Sequence, residues 1–104
     1  MVMTATVNDP KCVLIVCDDP AIRVFARNSL IAESRYLFDC KVSDMSVMMR
    51  SVQIDVLVVI GERTSALIDA VRDALSGARI PARRVAVVNS AADARTVVLQ
   101  ALAE

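Results

Sequence analysis

The chain has no histidine and no tryptophan, two glycines, and as many basic as acidic residues, twelve of each. Without histidine, neither a Ser-His-Asp nor a Cys-His relay can form within one subunit. Gly61 and Gly77 stand too far apart for a GxGxxG turn or a Walker A loop, so nucleotide binding by those routes is excluded. The balanced charge and the lack of a basic run leave no field to draw the chain to nucleic acid or to an anionic membrane, and neither partner is expected. Long apolar runs are also missing. Residues 12–17 and 56–60 fall far short of the roughly 20 needed to cross a bilayer, and residues 1–11 lack a basic stretch followed by an apolar one. A cytoplasmic location is the expectation. Cys12, Cys17 and Cys40 are odd in number and show no CxxC spacing, which argues against a disulfide framework or a zinc site and for buried thiols.

What is present is apolar. A hydrophobic share of 56% is ample for one core, so a single domain is expected over residues 12–104 behind a flexible lead at 1–11. Residues 12–17 form a continuous β-branched run, the mark of a strand buried on both faces. Asp18, Asp19 and Pro20 supply an N-cap and a first helical turn. Ile22, Phe25, Ala26 and Leu30 then recur at helical spacing opposite Arg23, Arg27 and Asn28, so a helix to about Glu33 should turn those four inward. Residues 36–42 alternate polar with apolar, as an edge strand does. Ser43 or Asp44 can cap a short helix whose Met45, Met48, Met49 and Val52 fill core. Residues 54–60 are the most apolar strand and belong at the centre. An amphipathic helix from about Ser65 to Ser76 follows, with Gly77 as its stop. Pro81, Arg83 and Arg84 lead into a fourth strand at 85–88, the two arginines as its solvated entry. Ser90 and Asp93 open a last helix to about Ala103. Strict β-α alternation with short loops implies parallel pairing and a layered α/β fold.

In open parallel sheets ligands collect at the carboxyl ends of the strands, here residues 17–20, 42–44, 60–64 and 89–91. Asp18 and Asp19 are two adjacent carboxylates suited to a hard cation such as magnesium if a third oxygen stood nearby. Capping and the helix dipole explain them as well. Cys17 and Arg23 match the C-x5-R spacing of phosphate-clamping loops, but the intervening acids would repel a dianion and raise the thiol pKa, and Pro20 offers no N–H. Asn89 and Ser90 could donate hydrogen bonds to a ligand, and capping of the last helix also accounts for Ser90.

Val13-Leu-Ile-Val-Cys-Asp-Asp-Pro20, followed by an amphipathic helix, resembles the opening of receiver domains of bacterial two-component response regulators, and the resemblance spans residues 12–103. It implies a flavodoxin-like, doubly wound three-layer sandwich with a parallel sheet of order 2-1-3-4, lacking the fifth βα unit. It also implies that Asp18 and Asp19 stand where such domains bind magnesium. In Asp55-Val-Leu-Val-Val-Ile60 the first aspartate of the family's pattern is kept, and Ile60 takes the place of the phospho-acceptor. The lysine of a fifth strand has no counterpart, since the lysines here are Lys11 and Lys41.

The expectation is a non-catalytic pseudo-receiver that signals by protein–protein contact. No cofactor is expected, magnesium being the one candidate ion. With no fifth unit, the sheet face beside the first helix would be bare over strands three and four. Either the last helix crosses over to cover it, or a second copy does. Val85, Val87, Val98 and Leu102 are the expected interaction surface, with a homodimer first and another signalling protein second as partner. Two alternatives remain open: a small phosphoryl-handling enzyme or carrier using Cys17 and Arg23, and a divalent-metal or small-ligand sensor at Asp18 and Asp19.

Overall fold

The computed structural model describes residues 11–34, 36–76, 80 and 84–103. The lead at 1–10, the helix stop at Gly77, most of the long loop with Pro81 and Arg83, and the terminal Glu104 lie outside the described residues. The elements run β1 (Cys12–Val16), α1 (Pro20–Leu30), β2 (Tyr36–Cys40), α2 (Met45–Ser51) entered through a 3-10 turn at Val42–Asp44, β3 (Val56–Ile60), α3 (Ser65–Leu75), β4 (Val85–Val88) and α4 (Ala91–Leu102). The four strands are parallel, in the order β2-β1-β3-β4. The order is the one expected, and so is the central position of the two most apolar strands. Every residue of β1 and β3 is buried, whereas β2 is mostly half-exposed and β4 half-buried throughout.

Local chemistry sets the helix starts. Asp19 accepts hydrogen bonds from the Ala21 and Ile22 amides at 2.9 and 3.2 Å with Pro20 in the first turn, Thr64 accepts from the Leu67 amide at 3.1 Å, and Ser90 accepts from the Asp93 amide at 3.1 Å. Asp44 occupies the cap position of α2 without a side-chain cap bond, unlike the expectation. Helix α1 stops at Leu30, earlier than the apolar pattern suggests, and the amides of Glu33 and Ser34 fold back onto the Leu30 carbonyl.

Two helices cover each face of the sheet. Helices α1 and α4 lie over Val13, Ile15, Val56, Val58 and Ile60 through Ala26, Leu30, Ala94, Val98 and Ala101. Helices α2 and α3 lie over Leu14, Val16, Leu57 and Val59 through Met45, Val71 and Ala74, with Met48, Met49 and Val52 partly buried beside them. The methionines are therefore core filling, as their spacing suggests. The last helix does cross over. Leaving the α1 face half covered would expose several valine side chains, each worth about 1.5–3 kcal/mol when buried.

The structure departs from three expectations. Leu57 pairs with Val85 and Val59 with Val87, so Val85 and Val87 sit on the α2–α3 face, not on the face beside α1. Side-chain period is two along a strand, and the register, which the sequence does not state, fixes the face. Val98 is wholly buried in the α1–α4 core, so it is spent inside the molecule rather than on an interaction surface, and Leu102 packs partly buried against the same core. The inward line of α1 is also rotated from its apolar spacing. Ala26 and Leu30 are buried, but Phe25 is 66% exposed and Ile22 38%. Arg23 is instead drawn in over the sheet, its side chain 17% exposed, because Asp39 on β2 holds it at 3.1 Å.

Candidate functional site

The chain leaves β1 through α1 toward one face and leaves β3 through α3 toward the other, so their carboxyl ends diverge and a crevice opens between them. Its volume is about 640 Å³, and it is lined by Cys17, Asp18 and Asp19 after β1, Ile60, Gly61 and Glu62 after β3, and Asn89 after β4, among others. The structure thus brings together most of the candidate residues named from sequence. A Cβ at Gly61 would meet only Leu67 Cδ2 at 3.5 Å, an ordinary contact, so that glycine is not there to admit a close backbone approach.

Two of the three carboxylates are engaged in the fold. Asp18 accepts a hydrogen bond from the Val42 amide at 2.9 Å, which ties the end of β1 to the turn after β2. Asp19 caps α1. Among the described residues, no group of three histidine, cysteine, aspartate or glutamate side chains is placed to hold a metal ion. Ile60 ends β3 only 4% exposed and packs into the α1–α4 core while its edge lines the crevice. No oxygen is offered there to a phosphoryl group.

The Cys17 and Arg23 pair is also committed elsewhere. Arg23 donates to the Cys17 carbonyl at 2.8 Å and forms an ion pair with Asp39, which Arg27 joins at 3.6 Å. The guanidinium thereby bolts α1 to the ends of β1 and β2. Cys17 is buried, and burial first, aided by the charges of Asp19 and Asp18, pushes its thiol up from the ordinary value, against the lowering influence of an Asp19 backbone hydrogen bond and of Arg23. A thiol so placed stays protonated at neutral pH and is a poor nucleophile. Cys12 and Cys40 are likewise free and buried, as the sequence suggests, with Cys40 pushed up to about 11 by burial and the nearby Asp44 and Asp39.

Sequence reasoning missed three contributions. Asp55, noted only as part of a pattern, clamps the start of the sheet, accepting from the Cys12 amide at 2.8 Å while its own amide donates to the Cys12 carbonyl at 2.9 Å. Glu62 joins the crevice, and Asp39 gathers both arginines of α1. An acidic residue in the polar register of an edge strand, on a different element from its basic partners, carries no local signal of that pairing. Comparison with protein families, with curated proteins and with solved structures finds no match to this chain. Among the described residues no helix is long and apolar enough to cross a membrane.

Proposed function

We propose that this chain is a non-catalytic, receiver-like module that acts by binding another protein. The observation that carries the reading is the outer side of α1, where Val24 and Phe25 are 52 and 66% exposed and Ile22 38%, with Ile31 at the C-cap of the helix 59% exposed. A single exposed apolar side chain is ordinary on a protein surface, whereas several on one short helix form the kind of patch that marks an interaction site. The chemistry of the crevice supports the same reading from the other side. Asp18, Asp19 and Arg23 are occupied in holding loops and helices, and Ile60 stands where a receiver carries its acceptor. With α4 seated beside α1, self-association no longer has a bare face to drive it and rests on the edge of β4.

The test uses the purified protein. Incubation with acetyl phosphate and magnesium, followed by intact-mass measurement, is expected to leave the mass unchanged. A neutral fluorescent probe of apolar surface is expected to bind the wild type more strongly than a Val24→Gln/Phe25→Gln variant. A phosphoryl adduct that disappears in Cys17→Ser would replace this reading with phosphoryl handling at Cys17 and Arg23. Equal probe binding by wild type and variant would remove α1 as the binding face.

A further inference from the structure

The apolar side of α1 continues beyond the helix. Ala21, Ile22 and Phe25 meet Asn89, Ser90 and Ala91 in a recess of about 410 Å³ between the first turns of α1 and α4. Ile22 and Asn89 line both this recess and the crevice, so the two adjoin. One end of the combined cleft is apolar and the other acidic. Asp18, Asp19 and Glu62 line the acidic end, and Asp93 lies in the first turn of α4. No basic side chain lines either part among the described residues; Arg63 sits next to Glu62 in the chain but outside the lining, and Arg23 is turned onto Asp39.

Helix N-termini at this end would ordinarily favour an anion. Here the Ala21 and Ile22, Leu67, and Asp93 amides are taken by the chain's own Asp19, Thr64 and Ser90. The attraction for anions is thus partly met internally, and the three carboxylates of the lining favour a cation in the crevice. A ligand that fits both ends carries an apolar group beside a cation.

We propose that the cleft docks a basic amphipathic segment of a partner protein, with an apolar side chain in the recess against Phe25 and a lysine or arginine beside Asp18 and Glu62. The proposal rests on the binding-module reading and adds to it the chemistry of the partner. Segments of this kind dock with their apolar side chains in a groove, and acidic rims steer and select them.

The probe is a fluorescein-labelled amphipathic helical peptide of leucine and lysine, paired with a version in which every lysine is glutamate. Anisotropy titration is expected to show binding of the lysine peptide that weakens as salt is raised, and much weaker binding of the glutamate peptide. Glu62→Gln and Phe25→Gln, both at exposed positions, are each expected to weaken the lysine peptide about five- to tenfold, the scale of an interface contact worth about 1 kcal/mol. Amide shifts on binding should cluster at residues 18–25, 61–64 and 89–91. If both peptides bind alike, or Glu62→Gln changes nothing while Phe25→Gln weakens binding, the basic partner is overturned and the α1 binding face stands. If neither peptide binds, or the shifts fall elsewhere, this proposal fails together with α1 as the binding face.

Discussion

Asp18 and Asp19 are neighbours in sequence with separate work in the fold. Asp18 reaches across to the Val42 amide, and Asp19 turns back to cap its own helix. A hydrogen-bonding role predicts that Asp18→Ala costs about 1–2 kcal/mol while Asp18→Asn, which keeps an accepting oxygen, recovers most of that loss. Urea unfolding with and without magnesium checks it. A magnesium-dependent rise in stability that both substitutions abolish would point to metal binding instead. Cys40 supplies a second prediction, on pH. Its thiol is pushed from 9.0 to about 11 in the folded state. Below pH 9 the thiol is protonated whether the chain is folded or not, and that stability is fully present. Between 9 and about 11 the unfolded thiol ionises while the folded one does not, so stability falls, by about 1.4 kcal/mol per pH unit from this group. Cys12 and Cys17 are shifted in the same direction and add to the decline. Cys40→Ala should be less stable than wild type at neutral pH, yet lose less on going from about pH 8 to about pH 10.5. An equal loss in both proteins would show that the decline belongs to other groups.

At the scale of elements, α4 is the piece that closes the sheet. Val98 is wholly buried against β1 and β3, whereas Val87 on the edge strand is half-buried. Val98→Asp places an unpartnered carboxylate in the core and is expected to leave the chain unfolded or insoluble, while Val87→Lys should fold with a loss of about 1–2 kcal/mol. Circular dichroism of the two variants distinguishes this from the opposite ranking, which would hold if β4 and not α4 were the seal. The alternation of elements and the caps at Asp19 and Ser90 were legible in the sequence, because a two-faced apolar strand and a capped helix are local patterns, whereas the strand order followed only from the family resemblance. What was not legible depends on distant partners. The inward line of α1 passes through Arg23 because Asp39 lies on the neighbouring strand, and that pairing turns Phe25 outward. The face of Val85 and Val87 follows from a register with β3 set by packing. Of the candidate site, the carboxyl-end residues were foreseen, since any parallel sheet offers them. The reach of Asp18 to the Val42 amide was not, since a hydrogen-bond partner far along the chain leaves no trace in spacing.

For the molecule as a whole, both sheet faces are covered by helices, and among the described residues exposed large apolar side chains lie on α1 and at its end, beside an acidic crevice, as well as on β2 and α2. In the function proposed, α1 has one side that holds the core and another left for a partner. Thermal unfolding of the Val24→Gln/Phe25→Gln variant tests that division most directly, because glutamine keeps helix propensity and removes only the apolar surface. In a domain of this size 1 kcal/mol moves Tm by about 4–8 °C. A Tm within about 2 °C of wild type is expected, since both side chains lie largely outside the core. A fall of about 8 °C or more would mean that Val24 and Phe25 are part of the chain's own packing, and the binding face assigned to α1 would be contradicted.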